Sequence, residues 1–164
     1  MKDDYKAFFD GVNGLDNGSR AALRRSAGTM LEKADGKAII AFYKVLPANV
    51  SETKAEYWFA VACLRCLWET GKESDESIDK VIGRFQREGE FSESMLHRIT
   101  VLMDARWSDD GYLLGKLTRI VKMIRQKTGQ VPDLSELIED LTKWNYDNQE
   151  VQRKWARSIF TGKE

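Results

Sequence analysis

An all-α fold is what this chain predicts, a compact helical bundle of about nine helices, and three observations carry the prediction. Apolar residues recur at a spacing near 3.6 almost throughout. Convincing period-2 alternation is absent. The 164 residues include only two prolines, so long helical stretches go uninterrupted.

Taken in order, the expected helices lie near 3–11, 18–30, 36–46, 53–70, 76–88, 93–107, 112–127, 134–143 and 148–160. Asn17-Gly18-Ser19 breaks the pattern before the second. Thr53-x-x-Glu56 reads as a capping box opening the fourth, ahead of Tyr57-Trp58-Phe59. Ser92 precedes the stripe Met95, Leu96, Ile99, Leu102 and Met103. Asp109-Asp110-Gly111 breaks the chain before Leu113, Leu117, Ile120, Val121 and Ile124, and Gly129 follows that helix. Asp133-x-x-Glu136, after Pro132, opens the eighth. Val151, Trp155, Ile159 and Phe160 form the stripe of the ninth. Each stripe must bury against other helices to hold its helix. The short linkers suit one domain spanning 1–164, with Lys72–Asp79 the best candidate boundary between two small lobes.

Composition narrows the function. Apolar residues make up 42% and charged residues 32%, and 26 basic side chains balance 26 acidic ones. Bulk charge therefore steers the chain neither toward nucleic acid nor toward membrane, and any such binding must come from local segregation of charge. Lys2, Asp3, Asp4 and Lys6 leave no apolar core for a signal peptide. No apolar run nears the roughly 20 residues of a membrane span. A cytoplasmic protein with no membrane partner is expected.

The sequence offers no support for catalysis, and no cofactor or metal is expected. His97 is the single histidine; it stands at helical spacing beside Leu96 and Ile99 and reads as an ordinary histidine. Cys63-Leu64-Arg65-Cys66 has CxxC spacing but lies in an apolar helical run with no second ligand pair, so it reads as two small buried side chains. Gly71-Lys72 lacks the upstream glycine of a phosphate loop. The pairs Asp3-Asp4, Asp109-Asp110 and Glu139-Asp140 read as helix-start or solvated charge. Trp58, Trp68, Trp107, Trp144 and Trp155 fall on apolar stripes and are expected in the core.

Charge does segregate locally. From Gly111 to Val131 there is no acidic residue, while Lys116, Arg119, Lys122, Arg125 and Lys127 are all basic. With Lys116 at zero on a helical wheel, Arg119, Lys122 and Arg125 fall at about 300°, 240° and 180°, and the apolar stripe spans about 40° to 140°. Cations at one-turn spacing suit counterion release from a phosphate backbone. An ordinary solvated face normally mixes signs, and this one does not. Arg153, Lys154 and Arg157 stand opposite the last apolar stripe, and Arg20, Arg24 and Arg25 cluster near the start. With the tryptophans assigned to the core, these faces predict binding that tracks backbone without reading sequence. The other reading is a helical protein–protein adaptor whose basic faces meet acidic partner surfaces.

Several of these segments resemble a known family. Leu15-Asp16-Asn17-Gly18-Ser19-Arg20-Ala21-Ala22-Leu23-Arg24-Arg25 is similar to the opening signature of CasB, the small subunit of the type I-E CRISPR Cascade surveillance complex. Ala41-Phe42-Tyr43-Lys44-Val45-Leu46-Pro47, Gly83-Arg84-Phe85-Gln86-Arg87, Leu96-His97-Arg98-Ile99 and Arg153-Lys154-Trp155-Ala156-Arg157 follow in the family's order. Residues 48–80 match poorly, and Ser158 stands where relatives often carry an acid.

The resemblance implies a non-catalytic α-helical subunit, present with a second copy of itself along the Cascade filament. It implies contact with the backbone and large subunits, CRISPR RNA and target DNA, and a basic groove that helps hold the displaced strand of the R-loop. The basic positions within matching motifs are Arg24, Arg25, Arg84, Arg87, Arg98, Arg153, Lys154 and Arg157. Lys116, Arg119 and Lys122 align approximately.

Overall fold

The computed structural model describes residues 2–162. Its helices are α1 (Lys2–Asn13), α2 (Asn17–Arg25), α3 (Gly36–Val45), α4 (Glu52–Arg65), α5 (Ile78–Arg87), α6 (Glu93–Asp104), α7 (Tyr112–Lys127), α8 (Ser135–Lys143) and α9 (Glu150–Thr161). A 3-10 turn spans Leu31–Lys33, and two short strands, β1 (Glu73–Ser77) and β2 (Val131–Asp133), complete the described chain.

α4 is the hub. Trp58 through Arg65 are buried without a break, and the helix packs on α2, α7 and α8. A helix segment covered on all sides needs no polar stripe, which is why residues 58–64 are apolar throughout. All five tryptophans are buried, and four of them place the indole N–H on an acceptor. Trp68 donates to Thr128 O, Trp107 to Glu56, Trp144 to Ala105 O and Trp155 to Asp140. These polar ends fix the orientation of large side chains that apolar packing alone would leave less specified.

The strands correct the expectation of purely helical periodicity. β1 pairs in parallel with β2, Glu73 opposite Val131 and Ser77 opposite Asp133. The sequence of β1, Glu-Ser-Asp-Glu-Ser, contains no apolar residue, so there is no alternation to detect. Gly71 makes the pairing possible: at φ +151° a Cβ there would lie 2.3 Å from Gly129 O.

The caps also differ from expectation. α4 begins at Glu52, which places Thr53 inside the helix, and Glu56 accepts the Trp107 indole instead of closing a capping box. The second helix stops at Arg25 and not near residue 30. Its cap is Asp16, whose carboxylate accepts from the Ser19 amide at 2.7 Å; these bonds hold the carboxyl below its usual range. Two stripe members point outward: Leu96 and Phe160 are exposed.

Candidate nucleic-acid interface

α7 carries the most open basic surface. Its first turn is set by Gly111 in the left-handed conformation and by Asp110, which accepts from the Tyr112 amide and the Ser108 hydroxyl. Leu113, Leu117, Ile120, Val121 and Ile124 are buried as the stripe predicts. On the opposite face Arg119 and Lys122 are exposed and make no ion pair or hydrogen bond with another described residue. Lys116 lies with its ammonium 5.1 Å from the centre of the Tyr112 ring. Arg125 faces inward along the surface and donates to Leu67 O. Lys127 stands 4.0 Å from Glu90, a contact between two solvated groups that is worth little.

A second group of arginines serves the turn after α4. Arg65 donates to Trp68 O at 2.9 Å and Arg20 reaches Glu69 O at 3.4 Å. Arg24 pairs with the Glu69 carboxylate at 3.0 Å. Together with Arg125 on Leu67 O, three guanidiniums meet carbonyls of the turn that follows α4 and a fourth, Arg24, meets its Glu69 carboxylate, at a helix end whose dipole favours positive charge. Burial pulls Arg65 below its usual range, with Glu73 acting in the other direction. Arg20, Arg24 and Arg65 line a cavity of about 360 Å³. The neighbouring Arg25 points away, exposed and without a partner among the described residues. Arg65 and Arg125 in these roles were not legible in the sequence, since nothing local marks the carbonyls they meet.

On α5, Arg84 is held by Glu76, with contacts of 2.9 to 3.2 Å, and its guanidinium lies over the Phe85 ring. The side-chain hydrogen bonds to Glu76 lift it above its usual range. Arg87 reaches Ser158 O on α9 at 3.4 Å. The helices meet at Gly83, where a Cβ would lie 2.7 Å from that same carbonyl. Arg98 on α6 is half-buried, its Nε covered and without a partner.

The three cations of α9 divide. Arg153 and Arg157 are exposed and unpaired among the described residues. Lys154 turns back onto α8 and donates to Asp140 at 2.5 Å, while the Trp155 indole donates to the other carboxylate oxygen at 2.9 Å. This corrects two expectations: Asp140 is a buried acceptor and not solvated charge, and Lys154 is not a free cation. Burial raises the Asp140 carboxyl above its usual range despite those two bonds. Burial also opposes the charge of Lys154, but Asp140 outweighs it and holds the ammonium above its usual range. The penalty falls on the acid because it is the more enclosed partner: its side chain is 8% exposed against 41% for the lysine.

Elsewhere His97 is exposed, and Cys63 and Cys66 are buried free thiols pushed up by burial. Among the described residues no cluster of three or more His, Cys, Asp or Glu is placed to hold a metal ion, and no helix is long and apolar enough to cross a membrane.

The fold is shared with solved CRISPR-associated helical proteins. CasB from Thermus thermophilus superimposes with a TM-score of 0.75 at 21% identity, over 96% of this chain and 97% of that one. A CRISPR-associated protein of the Cse2 family, also from Thermus thermophilus, gives 0.76 at 22% identity, again over 96% and 97%. A chain of a CRISPR RNA-guided surveillance complex gives 0.73 at 21% identity, over 97% and 92%. The family model for CRISPR-associated protein Cse2 matches residues 19–160, and the chain belongs to that family. No curated protein sequence matches it.

Proposed function

We propose that this protein is the non-catalytic small subunit of a type I-E Cascade complex, and that it holds nucleic-acid backbone to stabilise the R-loop and its displaced strand. It acts there beside the filament and large subunits and a second copy of itself, in contact with CRISPR RNA and target DNA. Family membership and the likeness to a surveillance-complex chain support the setting. The observation that carries the binding role is the outer face of α7, where Arg119 and Lys122 are exposed and face no carboxylate of the described chain. Cations left unpaired are free to displace counterions from phosphate. Arg25, Arg153 and Arg157 extend the same property to α2 and α9. Arg24, Arg84 and Lys154, engaged within the chain, are assigned to holding helices in place.

RNA-guided strand exchange is nearly balanced in free energy, so modest contacts to backbone tip it. The test is a reconstituted complex in which Lys116, Arg119 and Lys122 are all changed to Ala. Helicity should be unchanged and R-loop lifetime should fall about tenfold, as loss of three phosphate contacts implies at physiological salt. An unaltered lifetime would reject the α7 face. Normal assembly with unaltered lifetime in an additional Arg153→Ala/Arg157→Ala background would favour the protein–protein adaptor.

A further inference from the structure

Each of the two unpaired basic faces also carries one half-exposed aromatic ring. On α7 it is Tyr112, 50% exposed; on α9 it is Phe160, 49% exposed. On the wheel that places Arg119 and Lys122 at about 300° and 240°, Tyr112 falls at about 320°. With Val151 at zero, Phe160 falls at about 180°, next to Arg153 near 200° and Arg157 near 240°. Both rings therefore lie on the same side of their helix as cations that lack partners, whereas all five tryptophans are sequestered in the core. The remaining exposed aromatics differ in setting: the Tyr43 hydroxyl is bound to Glu52 at 2.8 Å, and Tyr146 lines a cavity where two acids, Asp104 and Asp147, stand against one arginine, Arg106.

The Tyr112 backbone is anchored at the start of α7. Its amide is held by Asp110 at 3.0 Å, and Lys116 lies 5.1 Å from the ring centre. An aromatic side chain has few rotatable bonds to immobilise when a flat ligand covers it, and unpaired bases present such a face whatever their identity. In duplex DNA those faces are stacked on neighbouring bases and out of reach.

We infer that these two faces bind unpaired bases as well as backbone, with Tyr112 and Phe160 as stacking platforms and the adjoining Arg119, Lys122, Arg153 and Arg157 holding phosphates. The surface thereby distinguishes single strands from duplex without reading sequence. This rests on the proposed function for its nucleic-acid partner.

The experiment uses the assembled complex on synthetic targets whose displaced strand is either ordinary or abasic over the protein-contacted stretch. With wild-type subunit, the ordinary strand should give an R-loop lifetime about tenfold longer than the abasic one. Tyr112→Ala/Phe160→Ala should bring the ordinary strand down to the abasic value and leave the abasic lifetime within about twofold, whereas Tyr112→Phe/Phe160→Tyr should keep the difference. Arg119→Ala/Lys122→Ala should shorten both lifetimes alike. Equal wild-type lifetimes on the two strands, or equal losses on both from the ring deletions, would overturn the stacking role while leaving the phosphate contacts standing. If removing the cations shortens neither lifetime, the backbone reading of the α7 face fails separately.

Discussion

Lys154 on α9 and Lys122 on α7 look alike in sequence, each a lysine on a helix face opposite an apolar stripe. In the folded chain they have opposite fates. Lys154 lies against the buried carboxylate of Asp140, which also accepts the Trp155 indole, so that α8 and α9 share a satisfied polar contact. Lys122 meets no described carboxylate and stays open to an outside partner. The difference lies in the facing element: α9 packs beside an acid-bearing helix, whereas the outer side of α7 is left uncovered. A helical wheel gives a cation's direction, but the neighbouring helix decides whether that direction is an interface or a surface.

Three measurements test this contrast, beginning with the largest effect. Asp140→Ala leaves the buried Trp155 indole without its acceptor, while the part-exposed Lys154 can turn to solvent, and urea unfolding should show a loss of about 1–3 kcal/mol, as for a buried donor left unsatisfied. Lys122→Ala should change stability by no more than about 0.5 kcal/mol in the same assay. A comparable loss from both would erase the distinction between the two lysines.

Next, the salt dependence of single-strand binding separates their roles. Arg119→Ala/Lys122→Ala should reduce the log–log slope by about 1.4, some 0.7 for each phosphate released from a single strand. Lys154→Gln, which keeps a donor for Asp140, should leave the slope within about 0.3 of wild type. A slope change of equal size would mean that Lys154 leaves Asp140 for phosphate.

The smallest effect is in pH. Because Asp140 is held above the ordinary carboxylate value of 3.8, the native chain takes up its proton more readily than the unfolded chain does. Stability therefore rises, relative to a non-titrating Asp140→Asn variant, as pH falls through the window from that raised value to the ordinary one. Denaturation of both proteins from pH 7 to pH 4 checks the sign. A gap that moves the other way would mean that the ion pair outweighs burial at the acid.

Much of this was legible without coordinates. Stripes such as Leu113, Leu117, Ile120, Val121 and Ile124 located α7 and its buried face, because helix periodicity is a local property written into adjacent turns. The run of residues free of acids from Gly111 to Val131 marked the outer face for the same reason. Tyr112 was equally available to that wheel, since its direction follows from its spacing to Lys116. β1 was not legible, because five polar residues carry no apolar alternation and only the approach of Gly71 to Gly129 pairs them with β2. The assignment of Phe160 to the apolar stripe failed at the edge of the stripe, where the packing neighbour ends and the ring is left in solvent.

What the sequence determined by itself, then, is the helical class, the core tryptophans and the direction in which each basic side chain leaves its helix. These follow from spacing along one chain segment. Only the tertiary structure decided which cations were neutralised: Arg24 by Glu69, Arg84 by Glu76, Lys154 by Asp140. Of these, Arg24 and Glu69 are far apart along the chain, and Lys154 and Asp140 sit on separate helices. Coulomb attraction depends on distance in space, and distance in space is set by how the helices pack.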